Sequence, residues 1–271
     1  MTVAIVGAGV MGETLLSGLI RSGRPTDELL VVEKRPERAA ELRERYAVTV
    51  LDTGEAAREA AQSADTVALV VKPQDMADVL AEIAPHLRPG QLLVSLAAGI
   101  TTGYIEERIP DGVAVVRVMP NTPALVDEGM AAISPGTHCD EGHLVEAERL
   151  LSATGKVVRV PEKQQDAVTA ISGSGPAYLF FVVEAMIDAG VLLGLPRSTA
   201  TELVVQTVVG SAKLLRETGE HPTVLRERVT SPGGTTAAAV RQLEDHKVRA
   251  AFITAMEAAR DRSRALAEGT D

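Results

Sequence analysis

The sequence predicts an α/β N-terminal domain followed by an all-α C-terminal domain, on three observations. Apolar runs of strand length alternate with segments of helical spacing through the first part of the chain, up to residue 160. The first run, Val3-Ala4-Ile5-Val6, leads directly into Gly7-Ala8-Gly9-Val10-Met11-Gly12. From Pro161 onward no strand pattern recurs, and every ordered segment has helical spacing. The expected domains are therefore residues 1–160 and 161–271.

The opening segment reads as strand, glycine turn, helix, strand and acid. Each glycine has its own task in such a unit. Gly7 turns the chain out of the strand. Gly9 leaves the backbone open to a pyrophosphate, and Gly12 lets the helix pack close to the sheet. The helix expected over 13–20 carries Leu15, Leu16, Leu19 and Ile20 on one face. Its N-terminus offers free N–H groups and a positive dipole end to phosphates. The next apolar run, 29–32, ends in Glu33, where an acid can accept from a ribose 2′-hydroxyl. A glycine turn alone is a weak signal. This order of elements makes the first domain a Rossmann-type dinucleotide-binding domain, with Gly7, Ala8, Gly9, Val10, Met11, Gly12 and Glu33 at the cofactor. Lys34 and Arg35 follow at once. The acid favours NADH, and the two bases could hold the 2′-phosphate of NADPH. NADPH is the expected cofactor, with NADH possible.

The alternation then continues. Helices are expected over 36–46, 54–62, 73–83, 101–108 and 141–152, and strands over 48–51, 66–71, 91–96, 113–118, 130–133 and 157–160. This pattern gives a mostly parallel sheet covered on both faces. Ligands in such sheets sit beyond the carboxyl ends of the strands. Those ends are the glycine turn, Glu33, Val70-Val71-Lys72-Pro73, Ala97-Ala98-Gly99 and the segment reaching Asn121. Thr53, after the third strand, joins this cofactor set. In the second part, helices are expected over 164–170, 177–193, 198–217, 221–229, 236–244 and 248–267. Tyr178-Leu179-Phe180-Phe181-Val182-Val183 is apolar nearly all round, so that helix must be buried. A helical domain this small offers little depth for it. The surplus apolar surface predicts a partner subunit, as a homodimer or higher homo-oligomer.

Composition sets the excluded classes. The 271 residues carry a net charge of −10, which disfavours nucleic acid and anionic membrane as partners. There is no Trp, and only three Tyr and three Phe, so no aromatic platform for bases is expected. Cys139 is the one cysteine, so no intrachain disulfide can form. The longest apolar stretch, 177–195, contains Glu184 and Asp188 and reads as a buried helix rather than a membrane span. A core strand beginning at residue 3 leaves no room for a signal peptide, so a cytoplasmic location is expected.

The search for a nucleophile finds little. Cys139 lies in a polar loop, and His138 and His143 lack a third ligand, so no metal site is expected. His86, His221 and His246 read as surface residues. Two glycine-rich segments stand out instead. Ser172-Gly173-Ser174-Gly175-Pro176 and Thr230-Ser231-Pro232-Gly233-Gly234-Thr235-Thr236 each precede a helix. Both could present backbone N–H groups to a carboxylate or phosphate. Ordinary N-capping by Ser and Thr is the plainer alternative for each.

These segments carry a resemblance. The glycine turn, Val70-Val71-Lys72-Pro73, Ala97-Ala98-Gly99-Ile100, Arg117-Val118-Met119-Pro120-Asn121-Thr122-Pro123, the run from Asp166 through Ser172-Gly173-Ser174-Gly175-Pro176-Ala177-Tyr178, and the segment 230–236 occur in order along nearly the whole chain. In this the chain resembles pyrroline-5-carboxylate reductase. The resemblance implies hydride transfer from a reduced nicotinamide to the C=N carbon of a cyclic imine bearing a carboxylate, the last step of proline synthesis. Such chemistry needs no nucleophile. It further implies that Ser231, Gly233, Gly234, Thr235 and Thr236 bind the substrate, with Thr236 hydrogen-bonded to the ring nitrogen as the catalytic residue. Glu162 matches an acidic position near the substrate, and Ser172 and Ser174 join that set. Lys72 and Pro73 match the segment beside the cofactor, and 97–99 lies by the nicotinamide. The family's helical domain interlocks with its twin.

Two rival readings remain at this level. A β-hydroxyacid dehydrogenase also joins a Rossmann domain to helices, but it needs a general base. Lys213 is the one centrally placed lysine on a long helix, and its plainer role is a surface residue. A non-catalytic NADPH-binding sensor would need no substrate loop, and the intact segment 231–236 argues against it.

Overall fold

The computed structural model describes residues 1–268. Alternation of apolar runs becomes an eight-stranded sheet ordered β3-β2-β1-β4-β5-β6-β7-β8. The elements run β1 (Val3–Val6), α1 (Val10–Arg21), β2 (Leu29–Val32), α2 (Pro36–Tyr46), β3 (Thr49–Leu51), α3 (Ala56–Ser63), β4 (Thr66–Leu69), α4 (Met76–Ile83), β5 (Leu92–Ser95), α5 (Thr102–Glu106), β6 (Ala114–Met119), β7 (Gly129–Pro135), α6 (Glu141–Leu151) and β8 (Gly155–Arg159). Each of these strands was legible as an apolar run. All pairings are parallel except β6 with β7. The two-residue period of a strand divides the central strands between two cores. Val3 and Ile5 face a cluster with Leu15, Leu16, Leu19 and Leu150, and Ala4 and Val6 face another with Ala57, Ala61, Met76 and Leu80. The alanine face of α3 lets that helix lie close against the sheet. Chain order reverses between β1 and β4, which opens the crevice at their carboxyl ends.

The helices continue as α7 (Gln165–Val168), α8 (Gly175–Leu192), α9 (Arg197–Thr218), α10 (Pro222–Arg228), α11 (Thr235–Asp245) and α12 (Val248–Glu268). By packing, the described residues form two compact units, 1–174 with 259–268, and 175–258. The segment after Pro161 therefore packs with the sheet unit rather than opening the helical one. In the second unit, α8 packs on α9, and Gly190 is where they meet. A Cβ there would lie 2.9 Å from the Ala200 Cβ.

The apolar helix is not buried by its own chain. Phe180 and Phe181 on α8 are exposed, and none of the α8 residues is buried. Leu203, Val209, Leu243 and Ile253 on neighbouring helices are exposed as well. The stretch Glu162–Leu192 is long and apolar enough to cross a membrane by length and composition. An apolar surface of this extent on a monomer marks an interaction face.

Candidate active site

The glycine turn has the geometry its spacing predicts. Gly7 has φ +100°, and a Cβ there would lie 2.5 Å from the Val70 carbonyl oxygen. A Cβ on Gly12 would lie 2.0 Å from the Gly7 carbonyl oxygen, so only glycine lets α1 pack this close to the turn. Gly9 differs, since a Cβ there would meet nothing within 4 Å. It is the N-cap of α1 with extended backbone, and no side chain caps the helix. Orphan N–H groups and an open approach fit a pyrophosphate. Ala8 is buried, while Val10 is exposed beside the open position.

At the end of β2, Glu33 is only 7% exposed and its carboxylate is already engaged. It accepts from the Arg35 backbone N–H at 2.9 Å and from Arg35 Nε and Nη2 at 3.1 Å each. Burial pushes the Glu33 carboxyl up, but the Arg35 hydrogen bonds outweigh it and hold the group below its ordinary value. Arg35 thus holds both carboxylate oxygens, and a ribose hydroxyl at Glu33 would share the carboxylate with it. Arg35 itself faces solvent, and Lys34 lies 3.7 Å from Glu82. Thr53 and Lys72 are exposed past the ends of β3 and β4, with Pro73 opening a single 3-10 turn after Lys72. Beyond β5, Ala97 is buried and Gly99 has φ +77°. Asn121, after β6, is a bridge within the unit. Its side chain accepts from Met130 N–H at 2.8 Å and donates to the Ser172 carbonyl at 3.1 Å.

The first glycine-serine segment is not a free helix N-terminus. Residues Thr169–Gly173 form a π-helical turn that joins α7 to α8. The Ser174 N–H donates to the Thr169 carbonyl at 2.8 Å, and the Ser172 hydroxyl donates to the Val168 carbonyl at 3.1 Å. The Ser174 N–H and the Ser172 hydroxyl, two of the donors an anion nest there would use, are thus engaged within the chain. A Cβ on Gly173 would lie 2.4 Å from Met119 Cε, the movable end of a flexible side chain, which would have to shift to admit it. π turns recur at functional sites.

Glu162 likewise lacks a free carboxylate. It accepts from the Thr102 N–H at 2.7 Å, the Thr102 hydroxyl at 2.6 Å and Arg117 Nη1 at 3.2 Å. Sequence reasoning left Thr102 and the partner of Arg117 unassigned. The available signal was a charge inside the apolar strand Ala114–Met119, because a buried arginine demands a partner.

The second glycine-rich segment keeps its donors. Gly233 has φ +68°, and Gly234 donates to the Ser231 carbonyl at 3.0 Å. A Cβ on Gly234 would lie 2.5 Å from Ser231 Oγ and 3.1 Å from the Ser231 carbonyl oxygen, so the hydroxyl would have to rotate away to admit one. Gly234 is the N-cap of α11, and no side chain caps this helix. The first N–H groups of α11 thus lack intrahelical acceptors. Thr235 is exposed and Thr236 half-buried. Elsewhere in the helical region, Thr201, Thr207, Thr218 and Thr254 donate to the carbonyl four residues back. Thr236, in the first turn of its helix, has no such helical carbonyl behind it.

Other candidate groups are accounted for locally. The Cys139 thiol donates to the Val115 carbonyl at 3.0 Å, and burial pushes its pKa up. His143 completes a capping box with Asp140 at the start of α6, and His221 caps α10. Lys213 is exposed and 3.7 Å from Glu217.

Residues 162–266 match the family model for pyrroline-5-carboxylate reductase dimerisation. Residues 2–99 match the model described as NADP oxidoreductase, coenzyme F420-dependent. The pyrroline-5-carboxylate reductase of Corynebacterium melassecola is 46% identical, over 98% of each chain. Two solved structures align over 98% of both chains. The pyrroline-5-carboxylate reductase of Coxiella burnetii has a TM-score of 0.93 at 36% identity. The Plasmodium falciparum pyrroline carboxylate reductase, with NADP bound, has a TM-score of 0.86 at 30% identity. On these matches, which span both compact units, the chain belongs to the pyrroline-5-carboxylate reductase family.

Proposed function

We propose that this chain reduces 1-pyrroline-5-carboxylate to L-proline, the last step of proline biosynthesis, with NADPH as preferred reductant and NADH as an alternative. It works as a soluble cytoplasmic homo-oligomer whose helical region, 161–271, binds substrate and pairs with a second copy. The observation that carries the reading is the uncapped start of α11, with its N–H groups and the Thr236 hydroxyl left without helical partners.

The residues divide the work by chemistry. The turn at Gly7, Gly9 and Gly12 takes the pyrophosphate on α1. Arg35, fixed by Glu33, faces the adenosine ribose and is the charge for a 2′-phosphate. When bound, the reduced nicotinamide supplies the hydride. The first N–H groups of α11 hold the substrate carboxylate through charge-assisted hydrogen bonds. The Thr236 hydroxyl donates to the imine nitrogen and polarises C=N. That bond strengthens as the electron pair moves onto nitrogen, which takes a proton from solvent to give the secondary amine, so it favours the transition state over the ground state. No group needs to attack the carbon covalently, in keeping with the inert Cys139.

The exposed apolar face of α8 suits a second copy of the same helical region better than lipid, given the dimerisation match over 162–266. The hydroxyacid dehydrogenase reading is disfavoured, because Lys213 sits in solvent beside Glu217. The test is loss of reduced-nicotinamide absorbance with pyrroline-5-carboxylate, run with NADPH and with NADH. Turnover with NADPH above that with NADH is expected. No turnover with either would refute the proposal.

A further inference from the structure

Arg117 is the one charged residue in β6, and its strand neighbours in register are Ser95 on β5 and Ser134 on β7. All three are buried. They form a polar row across the sheet near its carboxyl edge. Against this row lies the start of the segment after β8. Gln165, fully buried, donates to the Ser134 hydroxyl at 2.8 Å. Glu162 bridges Arg117 to Thr102, which is the first residue of α5. One carboxylate oxygen thus accepts the first N–H of α5, and the other holds the Thr102 hydroxyl. The turn 97–100 runs from β5 directly into that helix.

We propose that Glu162 is a positioning residue for the nicotinamide half of the cofactor site, acting through Thr102 on the turn 97–100. The inference rests on the dinucleotide reading above. Strand order gives it direction. Glu33 and Arg35 lie at the end of β2, on one side of the β1/β4 switch point, and the turn after β5 lies on the other. The adenosine half belongs to the first side, so the turn tied by Glu162 belongs to the nicotinamide half. Breaking the tie leaves a buried guanidinium and the first N–H of α5 without their acceptor, and the turn is freed at the nicotinamide side only.

The test compares the full-length wild type with Glu162→Gln, Thr102→Val and Thr102→Ser. Calorimetry measures the affinity for NADPH and for adenosine 2′,5′-bisphosphate, which carries only the adenosine half. Steady-state kinetics give KM for pyrroline-5-carboxylate. Glu162→Gln and Thr102→Val are each expected to weaken NADPH roughly tenfold, as for a lost charge-assisted hydrogen bond. Affinity for the bisphosphate and KM for the imine acid stay at wild-type values, and Thr102→Ser, which keeps the hydroxyl, restores NADPH binding. A raised KM for the imine acid with NADPH affinity unchanged would overturn the proposal and make Glu162 a substrate ligand. Equal weakening of both nucleotides would also overturn it, reducing the tie to general stability. The titrations need no imine acid, so a wild type inactive on that substrate refutes the proposed reaction separately.

Discussion

Gly9 and Gly12 have opposite surroundings, and replacing each by alanine separates packing from ligand binding. At Gly12 the new Cβ would stand 2.0 Å from the Gly7 carbonyl oxygen. Ordinary contact requires more than 3 Å, so α1 must move by about an ångström or the turn must open. Overpacking of this kind costs about 1–3 kcal/mol. Helix propensity alone would favour alanine by about 1 kcal/mol in a helix interior. The clash wins, because backbone rather than a flexible side chain blocks the space. Each kcal/mol lowers Tm by roughly 2–4 °C in a chain of this size. Gly12→Ala should therefore lose several degrees in thermal unfolding without cofactor. At Gly9 a Cβ meets no protein atom, so Gly9→Ala should change Tm little, beyond the modest loss of glycine as an N-cap. That methyl instead enters the approach of the pyrophosphate, and NADPH affinity by calorimetry should fall at least tenfold. A raised Tm for Gly12→Ala would refute the packing argument. Wild-type NADPH affinity in Gly9→Ala would refute the assignment of the turn to the cofactor.

Other substitutions test the remaining parts. Arg35→Ala should raise KM for NADPH by about tenfold or more and leave KM for NADH unchanged or lower, since Glu33 is released to accept a ribose hydroxyl; Lys34→Ala should matter less, and equal loss with both cofactors would count against the assignment. Thr236→Val keeps the shape, deletes the hydroxyl and should lower kcat roughly ten- to a hundredfold with cofactor KM little changed. Thr235→Val, at the exposed neighbour, and Lys213→Met should retain activity; loss in Lys213→Met alone would restore the hydroxyacid dehydrogenase reading. Phe181 is 72% exposed in the single chain, so Phe181→Asp should leave the fold intact and yield monomers or aggregates by light scattering, because the charge is unpaired only when a second copy covers it. The Glu33 carboxyl titrates below its ordinary value of 4.5 in the folded chain. Its pair with Arg35 therefore stabilises fully above that value and is lost as pH falls through the folded one. The Tm difference between wild type and Glu33→Gln should be present at neutral pH and shrink well below 4.5.

The strands, the glycine turn and the helical second half were determined by the sequence alone. Their signals are local: an apolar run of four residues, a glycine where no Cβ fits, a helical period. The pattern of motifs was specific enough to carry the family as well. Only the tertiary structure decided which polar groups were free. Glu33, Glu162, Asn121 and the Ser172–Ser174 segment all read as ligand groups, yet each is held by a partner inside the fold. For Glu33 the partner is two residues away. For Glu162 and Asn121 the partners are brought together by the sheet, from positions distant in sequence. A hydrogen bond depends on where two atoms meet in space, and sequence period carries no record of that. The same reason explains α8. Its composition showed that it must be covered, but what covers it lies outside the single chain. The start of α11 stayed free because a glycine N-cap brings no side chain to the helix end, and that much could be read from Gly233-Gly234 directly.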